Sequence, residues 1–174
     1  MRVMPQISVG GVSKGALLRR LVAAQVQLNP LAEQLFNHER FATTPRAVTV
    51  SVVVTHVEEL GFAAGATFAQ LVHAAERRGL VACPLELGPH LRLLWTDQPE
   101  VPSSVKTSQG GAPPGSVTVA SAAPPDHEDA PWGFYLRQLD GASWLRGYRC
   151  WSGHLWAPRD EIAFVRGDLE VEVV

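Results

Sequence analysis

A chain of 174 residues, 46% hydrophobic and 18% charged, can bury roughly 70% of its unfolded surface, which excludes wholesale disorder. Its formal net charge of −2 exerts no broad pull on nucleic acid or an anionic membrane, so either would need a local patch. No apolar run approaches the roughly 20 residues that span a bilayer, and Cys83 and Cys150 form no CxxC pair, so neither a membrane protein nor a disulfide scaffold is expected and the reduced cytoplasm is the expected compartment.

Residues 1–12, MRVMPQISVGGV, are punctuated by glycine without a clear period and read as a flexible leader. Ser13 is a predicted N-cap, and Leu17, Leu18, Leu21, Val22 and Val26 recur at helical spacing up to Leu28. Asn29-Pro30 then caps and opens a second helix with Leu31, Leu35 and Phe36 on one side, so residues 13–40 form a predicted helical hairpin or L. From Ala47 to Thr55 the valines Val48, Val50, Val52 and Val54 alternate with Thr49, Ser51 and Thr55, the pattern of a strand.

Thr67 and Gln70 make a T-x-x-Q capping box ahead of Phe68, Leu71, Val72 and Ala75, and Gly79 marks the helix end. Two short apolar runs, Leu80 to Cys83 and His90 to Trp95, read as strands flanking the loop PLELGP. Between residues 98 and 131 lie seven of the thirteen prolines, a predicted surface excursion with a strand at Ser116 to Ser121. Two hairpins close the chain: Gly133 to Leu139 with Ala142 to Trp151 around Asp140-Gly141, and Glu161 to Arg166 with Leu169 to Val174 around Gly167-Asp168. The expected fold is α+β, an N-terminal helical hairpin followed by a mostly antiparallel sheet or small open β-barrel with one packed helix. The expected division is a 1–12 leader, a 13–40 helical segment and a 45–174 domain.

The Asp140-Gly141 turn places Arg137 opposite Trp144 and Tyr135 opposite Arg146, and a four-residue loop would keep the same parity. Tyr135, Arg137, Trp144, Arg146 and Tyr148 then share one side of a ribbon, with Phe134, Leu136, Leu145 and Trp151 on the other. The second side is apolar and suits a core. The first alternates arginine with rings, a composition found at recognition surfaces and also where arginine stems cover an exposed sheet. An odd-length loop would split the set.

Chemistry-bearing motifs are sparse. Cys150-x₃-His154 has usable zinc spacing, but Cys83 and His90 fit no standard pattern, so no metal is expected. The DHED run at 126–129 lacks the calcium-loop pattern, and GGVSKG lacks the G-K-[ST] of a phosphate loop, so no cofactor is expected. A small hydrolase would draw on His90, Asp97 and Gln98, groups that each also fit a loop or strand-end role.

One stretch carries a resemblance. Leu60-Gly61-Phe62, Gly65-Ala66-Thr67, Cys83-Pro84, Gly88-Pro89, Leu91-Arg92-Leu93 and Asp97-Gln98-Pro99 occur in the order seen in a group of small uncharacterised bacterial proteins, and Trp156, Pro158, Asp160 and Phe164 resemble the end of that group. The resemblance implies a fold in which the β-rich half belongs to the same domain, and implies no activity. The functional expectation is a non-catalytic binding or adaptor module with a protein partner, its face made by Tyr135, Arg137, Trp144, Arg146 and Tyr148. Single-stranded nucleic-acid binding and a hydrolase near His90 and Asp97 are the alternatives.

Overall fold

The computed structural model describes residues 1–102, 104–105, 111–125 and 129–167. Residues 1–12 are not a separate leader: they supply strands β1 (Arg2–Val3) and β2 (Ile7–Val9), with Ile7 and Val9 buried in the core. Ser13 Oγ accepts the N–H of Ala16, opening helix α1 (Lys14–Ala23), which buries Leu17 and Leu21. The helix stops earlier than its apolar spacing implies, because Gln25 turns the chain with a φ of 56°. Gln27–Leu28 then forms β3 before Asn29 caps α2 (Pro30–Asn37). The N-terminal segment is therefore strand-first and no helical hairpin: β3 separates the two helices and pairs with a distant strand.

The valine-rich run divides at Ser51 into β4 (Val48–Val50) and β5 (Val52–His56). β4 pairs with β2 as a small second sheet, while β5 enters the main one, where Val53 is buried on one face and Val52 and Val54 on the other. A 3₁₀ turn at Glu58–Leu60 leads to α3 (Phe68–Glu76), whose reciprocal Thr67–Gln70 box is present as the sequence predicts. β6 (Leu80–Val81) follows, and then α4 (Leu87–Leu94) stands where the second apolar run reads as a strand. Pro89 falls in the first turn of α4, where no backbone N–H is needed, so the Gly-Pro that reads as a loop is compatible with a helix start.

The 98–131 segment is not wholly a surface excursion. Its β7 (Val117–Val119) is buried in the middle of the sheet, parallel to β10 (Glu161–Arg166) and antiparallel to β8 (Gly133–Leu139). β9 (Ala142–Tyr148) completes the ribbon and ends at Tyr148 rather than Trp151. Among the described residues the main sheet runs β1-β5-β10-β7-β8-β9-β3, with β6 also on β10. It is mixed and open, not a closed barrel. Leu169–Val174 lies outside the described residues.

Both sheet faces are covered. Phe134, Leu136, Leu145, Val117 and Ala163 point into a core shared with α1, α2 and α4, which joins the N-terminal residues to the rest. Fully burying a side chain such as Phe134 contributes roughly 1.5–3 kcal/mol. On the opposite face Ile162, Phe164, Val53 and Ala120 pack with α3, Trp132 and Trp156. That second core reaches the ribbon face at Tyr148, which packs half-buried against it. No helix among the described residues is long and apolar enough to cross a membrane.

Candidate functional site

The hairpin has the register its sequence implies. Asp140 and Gly141 both take positive φ, 50° and 73°, the turn that matches strand twist, and Tyr135 pairs Arg146 while Arg137 pairs Trp144. Tyr135, Arg137, Trp144, Arg146 and Tyr148 therefore lie on one side, each half-buried, and Phe134, Leu136 and Leu145 are fully buried on the other. Trp151 breaks the expected pattern. It follows β9 instead of belonging to it and is 65% exposed, its ring edge-on to His154 at 5.0 Å.

The guanidinium of Arg146 stacks over Trp144 at 4.9 Å. Neither Arg137 nor Arg146 forms an ion pair among the described residues, and the Nε atom of each is buried without a hydrogen-bond partner. Burial raises the phenol of Tyr135 above its usual range, while Arg146 and Arg137 pull it back down. The ribbon thus sets two guanidiniums, without an ion pair among the described residues, beside aromatic rings.

At the Tyr135–Tyr148 end this face opens into a cavity of about 160 Å³ lined by Thr118, Tyr135, Tyr148, Cys150, His154 and Trp156. The rings stand edge to face: Tyr148 meets Trp156 at 5.8 Å and 89°, and His154 meets Trp156 at 5.2 Å and 88°. Trp156 is only 4% exposed because reciprocal backbone bonds to Ala66 tie it to the approach of α3. Asp160, also buried, accepts the N–H groups of Ala112 and Ala157 at 3.0 and 2.8 Å, holding the 112 segment over the cavity. Burial raises its carboxyl above the usual range, and those two bonds and His154 act in the opposite direction.

Two donors on residues that line this cavity, Tyr148 Oη and Trp156 Nε1, are buried without an acceptor among the described residues. Burial drives the Tyr148 phenol far above its usual range. Cys150 and His154 line the same cavity, but the thiol donates to the Trp151 carbonyl, at 3.6 Å, and burial raises its pKa.

The hydrolase candidates do not converge. His90 is buried under α1 and β2, its Nε2 accepting the Gly10 N–H at 3.2 Å. Asp97 is exposed in a groove with Arg2 and Trp95. Gln98 is buried, accepting from Arg92 at 2.6 Å and donating to the Gly115 and Leu136 carbonyls. Cys83 is likewise committed elsewhere, donating to the Ala163 carbonyl. Among the described residues no group of three His, Cys, Asp or Glu side chains is placed to hold a metal ion.

The ribbon is legible in the sequence, and the cavity at its end is not. The local signal is the tail of the aromatic-rich stretch, Cys150, His154 and Trp156, which in isolation reads as zinc spacing or as a family ending. Thr118 and Ala112 carry no such signal, since the placement of β7 beside β8 brings in Thr118 and the bond to Asp160 holds Ala112. No family model, curated protein or solved structure matches the chain.

Proposed function

We propose that the protein is a non-catalytic binding module for a protein partner, and that its contact face is the ribbon of Tyr135, Arg137, Trp144, Arg146 and Tyr148. The observation that carries this reading is the pair of arginines: two partly desolvated guanidiniums with unpartnered Nε atoms and no ion-pair partner among the described residues. Leaving such donors unsatisfied is costly, and acceptors on a partner would relieve that cost. Tyr, Trp and Arg are also the residue types that dominate interface hot spots. Exposed Trp151 and Leu155 extend the face beyond Tyr148 with apolar surface.

Binding is favoured over cysteine chemistry because a nucleophilic thiol needs a lowered pKa, and burial raises that of Cys150. An acidic protein surface is favoured over single-stranded nucleic acid by the net charge of −2 and the presence of only two lysines. The test is co-purification with the tagged full chain, compared with Arg137→Ala/Trp144→Ala and with Val22→Ala on the exposed side of α1. A partner that contacts the ribbon is retained by Val22→Ala and weakened about thirtyfold or more by the double substitution, the size expected of hot-spot truncation. Equal recovery on all three proteins would refute the reading.

A further inference from the structure

The cavity beside the ribbon has a chemistry of its own. From its walls, its orphaned donors and its flanking charge we infer that it is a binding site for a small planar aromatic carboxylate. Size sets the first limit. At about 160 Å³ the cavity is close to the roughly 150 Å³ that accommodates a benzene ring in an apolar site. Its perpendicular Tyr148, Trp156 and His154 rings offer a ligand ring both faces and edges to pack against.

Polar groups set the second limit. Indole Nε1 only donates, and that of Trp156 sits without an acceptor on a side chain 96% removed from solvent, as its 4% exposure gives. The hydroxyl of Tyr148, a second wall of the cavity, is equally unpartnered among the described residues. Water aside, the group that satisfies such donors is an oxygen carrying lone pairs, and a carboxylate presents the most.

Charge sets the third. Perpendicular aromatic walls are also how proteins hold quaternary ammonium ions. Here, however, Tyr135 lies between Arg137 and Arg146, and Arg149, exposed at the rim, adds a further guanidinium. Asp129 neutralises Arg149 at 2.8 Å, and no carboxylate among the described residues neutralises the other two. The Asp160 carboxylate beside the cavity is committed to the Ala112 and Ala157 N–H groups, so the occupant is anionic and not cationic.

The experiment titrates the ¹⁵N-labelled full chain separately with benzoate, benzamide and choline, following the Trp156 indole N–H resonance, assigned by its absence in Trp156→Phe. Benzoate is expected to move that resonance saturably and to bind more tightly than benzamide, while choline leaves it in place. Tyr148→Phe keeps the ring and loses its hydroxyl, and Trp156→Phe, followed through neighbouring amides, keeps a smaller aromatic ring and loses the indole donor. Each is expected to weaken benzoate about tenfold, the value of one hydrogen bond to a charged group. Failure of benzoate to move the resonance, binding of choline at least as tight as that of benzoate, or undiminished benzoate affinity in both Phe variants overturns the inference. The comparison among ligands needs no substitution, so a misfolded variant leaves it decisive. Trp144→Ala, outside the cavity, is expected to keep benzoate binding while losing the protein partner, so the two readings fail separately.

Discussion

His90 is a titratable group that the fold uses in one protonation state. Its Nε2 accepts the N–H of Gly10, a glycine held at a φ of 86° with Thr44 packed against it, so a proton on Nε2 would set two donors against each other. Burial lowers the His90 pKa; Glu86, one turn earlier, acts to raise it and Arg20 to lower it further. A histidine depressed in the folded state leaves the unfolded chain to bind the extra proton. The contribution is therefore fully present above about pH 6.5, the unfolded value, and is lost as the pH falls through the lower folded value. Urea unfolding at pH 7.5 and 5.5 is expected to show stability falling on the acid side, by at most about 1.4 kcal/mol per pH unit for one proton. His90→Gln keeps an acceptor near the Nε2 position without a titration and should flatten that fall. Parallel pH dependence in the two proteins would remove His90 as its source.

At the scale of elements, the junction of α2 with the ribbon depends on one glycine. Asn29 caps α2 through the Ala32 N–H and also bonds both backbone groups of Gly147, accepting its N–H at 2.7 Å and donating to its carbonyl at 2.9 Å. The side chain thereby extends the β3–β9 ladder by one position. A methyl group on Gly147 would come within 2.5 Å of the Leu31 backbone, which cannot give way as a side-chain tip would. Gly147→Ala is expected to cost about 3 kcal/mol in urea unfolding, the upper part of the range for overpacking; a cost below about 0.5 kcal/mol would show that α2 shifts freely. Local features such as this Asn-Pro cap, the Thr67–Gln70 box and the Asp140-Gly141 turn are legible in sequence because their chemistry acts within a few residues. The helical state of Leu87–Leu94 is not, because eight residues with Gly and Pro at the start carry a weak periodic signal and burial against Phe134 decides the outcome. The same limit hides the cavity, whose walls come from segments that only the sheet order brings together.

The whole molecule is organised around a short strand, β7, from the middle of the proline-rich arm. This strand pairs between β8 and β10, and two arginines anchor the arm on either side of it. One anchor is Arg40, which donates to the carbonyls of Ala122, Pro131 and Trp132. The other is buried Arg92. Burial lowers the pKa of its guanidinium to about 10, and it donates to the Trp95 carbonyl at the end of its own helix and to Gln98. Gln98 passes the chain of bonds on to Gly115, just before β7, and to Leu136 of β8. No carboxylate neutralises Arg92 among the described residues, so its charge is held by carbonyl dipoles alone. Gln98→Ala would take one of the two acceptors from that cation and strand two carbonyls, and is expected to cost about 2–4 kcal/mol and to raise hydrogen exchange in β7. Replacing both partners by apolar residues of similar length, Arg92→Met/Gln98→Met, removes the charge along with its need, and should be less destabilising than Gln98→Ala. Urea unfolding of the two proteins decides the matter. A double variant that unfolds at lower urea than Gln98→Ala would mean that Arg92 contributes to stability through its charge and not only through the bonds it makes to the arm.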